Sequence, residues 1–336
     1  MTKKNIIVII VLIVLLFITA LIGFRIVSKE NFKNKLQVIY TPSNQENDWE
    51  ADYIKNDLCK DMDTVFMTLD KVQGYVEENP HLKNNHIFVF TSGETKYEDL
   101  LKIVIDIKPL IIIHLSDEWG TIPEYTYLTS KAKLVLRQHN FKGYNIKYYN
   151  NVYHIPLGYM TKMLNGESST DRTDIPLITD RKYTWSFVGN HMKQDRYEMI
   201  DKFKTEFPNY YHENTSAENM FEIYKKSVFV LNGRGNVSIN CFRVYEAAVA
   251  GAIPVVVGNW EELKDTFNLG NHENIINYNN IPPFIYEKNW DDAVIKCKWL
   301  LNNPDVLKEM QTQVLLWWNN IIKDIQYQIQ TVIENN

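Results

Sequence analysis

The chain is short of cysteine. Three occur in 336 residues, Cys59, Cys241 and Cys297, with no Cys-x-x-Cys and no Cys/His pair at metal-ligand spacing. A disulfide-built scaffold and a zinc site are thereby excluded, and one bridge at most is left room. Basic charge is not in excess either: 36 Lys and Arg stand against 41 Asp and Glu, a net charge of −5, so no basic surface points to nucleic acid as a partner. Internal repeats and low-complexity segments are also missing. What is present, 45% hydrophobic and 13% aromatic residues, suffices for two cored domains of ordinary size.

Charge is absent from one stretch altogether. Residues 5–24, NIIVIIVLIVLLFITALIGF, are flanked by Lys3 and Lys4 on one side and by Arg25 and Lys29 on the other. About 20 apolar residues match a bilayer core, whereas the apolar core of a cleaved signal peptide is roughly 7–15. Residues 1–30 are therefore expected to be an uncleaved membrane anchor, making this a single-pass protein, type II in the Golgi or ER. The flanking charges pull the other way, because Arg25, Lys29, Lys33 and Lys35 outnumber Lys3 and Lys4, and they leave the topology open.

After the anchor, short apolar or β-branched runs (KLQVIY, TVFMTL, HIFVFTS, PLIIIHLS, KLVLRQH) alternate with stretches of helical periodicity such as WEADYIKNDLCKDM and YEDLLKIVIDI. That alternation implies parallel βαβ units and a doubly wound sheet. Residues 163–182 are polar, lose periodicity and contain Gly and Pro, so they read as a linker. The pattern then restarts with YTWSFVG, KQDRYEMIDKFKTEF, AENMFEIYKKS, VFVLNGRG, IPVVVG and WEELKDTF, before a helical tail from Asn289 that is interrupted near Asn303-Pro304. The expectation is an α/β protein of two Rossmann-like domains, 31–162 and 183–336, facing a central cleft at their strand C-termini.

One helix carries chemistry. In FRVYEAAVAGAIPVVVG, residues 242–258, Arg243 and Glu246 are three apart and share a face. Ser238 reads as the N-cap and Gly251 as the glycine just past the end, a helix of about three turns. Upstream, LNGRGN leaves a strand and turns through two glycines, a shape that offers free N–H groups and the positive helix end to phosphate. A guanidinium adds a bidentate oxyanion contact, and a carboxylate one turn on suits two ribose hydroxyls. A structural reading competes: Glu246 complements the helix dipole and pairs with Arg243. Spacing alone does not separate the two.

Residues 227–258, SVFVLNGRGNVSINCFRVYEAAVAGAIPVVVG, resemble the signature of exostosin-like glycosyltransferases, and WSFVGNHMKQDR, 185–196, resembles the same family's strand-Gly loop followed by Arg. The resemblance runs from about 181 to 300. It implies a GT-B fold and transfer of a sugar from a nucleotide diphosphate donor, expected to be a UDP-sugar, with inversion at the anomeric carbon. By position, Arg234 and Arg243 serve the diphosphate and Glu246 the ribose, while Gly189 and Asn190 lie beside the phosphates; Arg196 and Gly235 complete the donor set. The domain 183–336 would then bind the nucleotide-sugar and 31–162 a glycan or glycoprotein acceptor. No cofactor or metal is required, since helix dipole and cations neutralise the leaving diphosphate. Two alternatives remain. A fucosyltransferase-like enzyme using GDP-fucose shares the Phe-Val-Gly strand, but it is expected to carry Thr-Glu-Lys where this chain has Val-Tyr-Glu. A non-catalytic, degenerate transferase serving as a membrane-bound partner is disfavoured by the retention of Arg243 and Glu246.

An Asp-x-Asp, the motif with which glycosyltransferases of the other common fold hold a metal-bound donor, exists at Asp61-Met62-Asp63, but it precedes its strand and reads as solvated loop carboxylates. In PLIIIHLSDEWG, residues 109–120, polar groups cluster at the end of an apolar strand, where cleft residues belong. An inverting transfer needs a base, and Asp117, Glu118 and His114 are the candidates. Asp117 is favoured, emerging at the cleft floor, with Glu118 on the opposite face if the strand persists. Trp119 is a candidate sugar platform, and Arg137 and His139 hold the same position one strand on. The competing view is that Ser116 and Asp117 merely cap a helix, EYTYLTSKA. His81, His212 and His272 read as surface residues.

Overall fold

The structure, a computed structural model, describes residues 36–42, 49–92, 96–119, 127–128, 130–139, 151–190, 194–267 and 282–336. The apolar run at 5–24, His272 and part of EYTYLTSKA (124–126 and 129) lie outside them. Among the described residues no helix is long and apolar enough to cross a membrane.

Two parallel sheets make an α/β fold. In the first, β1 (Gln37–Thr41), β2 (Asp63–Phe66), β3 (His86–Thr91), β4 (Ile111–Leu115), β5 (Leu134–Arg137) and β6 (Val152–His154) stand in the order β2-β1-β3-β4-β5-β6. β4 is buried along its whole length, as a parallel strand covered on both faces must be, and its unbroken Ile run follows from that. Helix α1 (Leu69–Glu78) and helix α2 (Tyr97–Ile107) cover one face. The buried Leu100, Val104 and Ile107 of α2 recur at helical spacing and pack with Ile39, Phe88 and Ile112. On the other face Val38, Tyr40, Ile87 and Ile113 join a larger core. The amphipathic stretch expected at WEADYIKNDLCKDM is wound as a π-helical turn, Tyr53–Leu58.

The second sheet contains β7 (Tyr183–Ser186), β8 (Tyr210–Tyr211), β9 (Ser227–Asn232), β10 (Ile253–Val257) and β11 (Ile285–Glu287), ordered β11-β10-β9-β7-β8. Its helices are α3 (Gln194–Glu206), α4 (Ala217–Lys225), α5 (Phe242–Val249), α6 (Trp260–Phe267) and α7 (Trp290–Leu301). The chain steps from β7 outward to β8, then returns to the opposite side of β7 as β9. Between β7 and β9 the sheet order reverses, and the crevice outside the strand C-termini at such a reversal is where open α/β sheets bind ligands.

Helix α5 is shorter than its sequence suggests. It begins at Phe242 with Cys241 in the N-cap position and runs eight residues, about two turns. Ser238 stays in the preceding loop, where its carbonyl accepts from the Gly235 N–H at 2.8 Å and its hydroxyl from the Asn240 N–H at 3.1 Å. Gly251 follows the helix at φ +62°, the left-handed position a glycine takes without strain.

Residues 155–182 join the sheets with only a 3₁₀ turn at Ile178–Asp180. Two side chains pin this segment. Asp57 accepts from the Ser168 hydroxyl (2.7 Å), the Ser169 N–H (3.0 Å) and the Ser169 hydroxyl (2.5 Å). Arg181 donates to the carbonyls of Ser227 (2.8 Å) and Ala250 (2.9 Å). Helix α8 (Pro304–Glu334) then runs 31 residues, starting where Pro304 breaks the preceding helix, and returns to the first sheet. Its Trp318 ring lies 6.2 Å from that of Tyr53, and its Gln326 amide donates to the Asp57 carbonyl at 2.7 Å. One hydrophobic cluster therefore runs from Leu36 through the second sheet to Ile333.

Candidate active site

At the reversal in the second sheet two arginines converge on one loop. Arg243, in the first turn of α5, donates Nε to the Val188 carbonyl at 2.8 Å and Nη1 to Cys241 Sγ at 2.9 Å; its guanidinium carbon is 4.7 Å from the Phe187 ring centre. Arg196, in the first turn of α3, donates to the carbonyls of Asn190 and, at 2.5 Å, Arg234, with its guanidinium carbon 5.7 Å from the same ring. The glycines here answer to these side chains. A Cβ at Gly189 would lie 2.3 Å from Arg243 Nη2, and one at Gly233 would lie 2.7 Å from Arg196 Cγ.

Among the described residues neither Arg196 nor Arg243 has a carboxylate salt-bridge partner. Burial, and then the charge of Arg243, lower the pKa of the Arg196 guanidinium. Two guanidiniums set by carbonyls against one ring, with no carboxylate salt bridge among the described residues, have the chemistry to receive an oxyanion. One turn along α5, Glu246 is 1% exposed and accepts from the Met160 N–H at 3.3 Å. Burial raises its carboxyl to about 7 against the opposing pull of Arg243.

Arg234 is engaged elsewhere. Its guanidinium grips Glu262 of α6 at 2.8 and 2.5 Å, and its N–H is taken by Asp195 at 3.0 Å. The turn beyond it already holds an anion. The N–H groups of Asn236 and Val237 donate to Glu118 Oε1 at 2.6 and 3.0 Å, and Asn236 Nδ2 donates to Glu118 Oε2 at 3.0 Å. A Cβ on Gly235 would sit 2.6 Å from the same Oε1.

Glu118 reaches across because β4 ends at Leu115 and Ser116 takes φ +56°, so strand alternation stops. The expected orientations are thereby exchanged. Asp117 turns inward, 7% exposed, onto buried Arg137, and Glu118 crosses to the second sheet. Arg137, placed on the acceptor side by its position in the sequence, is buried and ties together Asp117, the His139 carbonyl (3.2 Å) and His114 Nδ1 (2.6 Å). A guanidinium only donates, so His114 Nδ1 accepts and its proton sits on Nε2, facing Ser92 Oγ at 2.5 Å. Burial first, then Arg137, hold the His114 pKa well below the usual imidazole range, so His114 is a neutral strut.

Sequence reasoning missed a second network beneath this one. Ser116 donates its N–H to Gln138 Oε1 (2.8 Å) and its hydroxyl to buried Glu50 (2.5 Å), and Gln138 passes its amide to the Leu157 carbonyl (2.9 Å). It also missed His154, at the end of β6, for which its place at a strand C-terminus was the available signal. Neither ring nitrogen of His154 has a partner among the described residues, and burial lowers it to about 3. His154 lines a cavity between the sheets with His139, Pro156, Asn240, Tyr245 and Trp317. His139 is lowered to about 4, chiefly by burial, and the Trp317 indole N–H has no partner among the described residues. Trp119 stands 66% exposed beside Glu118.

Asp61 and Asp63 lie at the N-terminal end of the edge strand β2, opposite the strand ends that carry the site, and Asp63 accepts from Gln37 at 2.8 Å. Among the described residues no cluster of His, Cys, Asp and Glu is arranged to hold a metal. His212 is half-buried, its ring 5.4 Å from that of Tyr210, rather than at the surface.

No curated protein matches the chain in sequence. Among solved structures it is similar to an alpha-glucosyltransferase in complex with UDP and a 13-mer DNA containing a HMU base, with a TM-score of 0.46 and 10% identity over 81% of this chain and 85% of that one. A family model described as the RXYLT1 C-terminal domain matches residues 169–336, half of the chain, a stretch that carries the Gly189 loop, Arg196, Arg243 and Glu246. The chain thus belongs to the RXYLT1 C-terminal domain family, one of exostosin-like glycosyltransferases.

Proposed function

We propose that the protein is an inverting glycosyltransferase of the GT-B type that takes a sugar from a UDP-sugar and delivers it to a glycan or glycoprotein. The observation that carries this reading is the pair Arg196 and Arg243, two guanidiniums on one Phe187 ring without a carboxylate salt bridge among the described residues, at the point where sheet order reverses. In this reading the donor diphosphate lies against both arginines and the α5 N-terminus, and Glu246 on the next turn accepts from the ribose hydroxyls. Residues 31–162 serve the acceptor, 163–182 link, and 183–336 serve the donor, with α8 shared by both. Residues 1–30 anchor the enzyme in a Golgi or ER membrane.

The acceptor hydroxyl attacks the anomeric carbon from the face opposite the diphosphate. The glycosidic C–O bond breaks with its electron pair leaving on the diphosphate, and the two guanidiniums and helix dipole stabilise the charge that develops there. The cavity between the sheets suits a sugar: Tyr245, Trp317 and Pro156 give apolar walls, and neutral His139 and His154 with Asn240 give hydrogen-bonding groups.

Calorimetric titration of UDP and GDP into the wild type and Arg243→Ala tests the reading. We expect UDP to bind and the substitution to weaken it about tenfold or more, since a charge-assisted contact contributes roughly 1.5–3 kcal/mol. Equal UDP affinity in the two proteins removes the donor site from this crevice, and a preference for GDP moves the donor to a guanosine nucleotide.

A further inference from the structure

We infer that Glu118 is a latch which the donor must evict: its carboxylate fills the Asn236 and Val237 N–H groups until the donor binds, and donor binding frees it to act as the base. This rests on the donor reading above and adds to it a fixed order of binding.

Three hydrogen bonds, at 2.6, 3.0 and 3.0 Å, hold the two oxygens of Glu118 on Asn236 and Val237. The receptor is made of two successive backbone N–H groups and a side-chain amide, the kind of concavity that takes either a carboxylate or a phosphate oxygen. It closes tightly around the anion: a Cβ at 235 would meet Glu118 Oε1 at 2.6 Å. Two anions cannot share it, because like charges a few ångströms apart repel strongly. The diphosphate has the advantage of Arg196 and Arg243, with which Glu118 makes no hydrogen bond or ion pair. The two sites are continuous through the chain: Arg196 holds the Arg234 carbonyl at 2.5 Å, the residue before Gly235.

The latch spans the two sheets, since Glu118 follows β4 and the turn follows β9. Its release therefore both opens the cleft wall and delivers a carboxylate into it, beside exposed Trp119. Asp117 and His114 are engaged by Arg137, so among the three base candidates Glu118 is the one whose engagement the donor itself undoes. In the transfer step the acceptor oxygen bonds to the anomeric carbon, its proton passes to the Glu118 carboxylate, and the nucleoside diphosphate departs with the electron pair of the broken bond. Once the diphosphate leaves, Glu118 returns its proton to water and recloses.

An ordinary base would leave nucleotide affinity alone when mutated; a latch predicts the opposite. UDP is titrated into the full-length wild type, Glu118→Gln and Glu118→Asp, with thermal melts to verify folding. Glutamine keeps the shape and loses the charge, and aspartate keeps the charge and loses the reach. Both should bind UDP about three- to tenfold more tightly, the competitor having been weakened, while Glu118→Gln transfers at least a hundredfold more slowly, the low end of general-base loss. UDP affinity that is unchanged or weaker in both folded variants overturns the latch. Near-normal transfer by Glu118→Gln overturns the base assignment. Arg243→Ala run alongside separates the two levels: if it binds UDP like the wild type, the donor site itself is wrong, whatever the Glu118 variants do.

Discussion

Arg243 lies on Phe187 with 4.7 Å between guanidinium carbon and ring centre, and the Val188 carbonyl fixes its Nε. A side chain so placed has one orientation, and the backbone at Gly189 is shaped to it. At φ +139° and with Arg243 Nη2 2.3 Å from where a Cβ would stand, position 189 has neither the conformation nor the room for alanine. Gly189→Ala should lower UDP affinity more than tenfold and cost about 1–3 kcal/mol of stability, both read by calorimetry and denaturant melts. A variant that binds UDP normally would show that Arg243 takes no part in holding it.

Glu246 should make stability depend on pH. Burial raises its folded pKa to about 7, above the ordinary glutamate value, so the folded state favours the protonated carboxyl. Its contribution is complete below about pH 4.5 and is lost as pH rises through 7, on the order of 3 kcal/mol across that window. Glu246→Gln cannot titrate. Its melting temperature should fall behind or match the wild type near pH 5 and overtake it by pH 8. Parallel curves for the two proteins across that range would remove the effect. UDP affinity of Glu246→Gln should drop about tenfold if the carboxylate holds the ribose.

Asp117→Asn should unfold more readily rather than merely react slowly. Asp117 and Arg137 are a buried ion pair, and removing one charge leaves the other without compensation. The loss is roughly 3–5 kcal/mol, measured by urea denaturation. Replacing the pair together, as Asp117→Asn with Arg137→Met, should recover part of it. A stable Asp117→Asn would mean that water reaches Arg137.

Asp57→Ala should loosen the joint between the sheets. Three hydrogen bonds from Ser168 and Ser169 end on this carboxylate, and truncation strands the Ser169 N–H in a buried place. A penalty of about 2–4 kcal/mol is expected, and limited proteolysis should cut near residues 165–175 of the variant sooner than in the wild type. Equal cleavage rates would assign the joint's rigidity to Arg181 and α8 instead.

What the sequence made readable was local. The unbroken PLIIIH run announces a buried parallel strand, and Gly251 marks the end of α5, because each depends on neighbours a few residues away. Arg243 and Glu246 were legible for the same reason, being one turn apart. The rest depended on partners far off in the chain. Arg234 is turned from the crevice by Glu262, 28 positions on, and no spacing rule announces that pair. The direction of Glu118 hinged on a left-handed Ser116, a conformation that serine seldom adopts and that a strand pattern does not foresee. His154 shows its character only through the lack of partners around it, a property of packing rather than of motif.

Helix α8 sets a timetable for synthesis. The π-helical turn at Tyr53–Leu58 needs Trp318 against Tyr53 and Gln326 on the Asp57 carbonyl, the latter closing a span of 269 residues. As the ribosome delivers the chain, the earlier sheet emerges with one face uncovered, and it must wait for nearly the whole of the later one before that face is sealed. Loop closure over such a span is entropically slow to reward, and an open apolar face invites association with other nascent chains. The half made first is thus the half finished last, and α8 commits both to folding as one cooperative unit after translation rather than domain by domain during it.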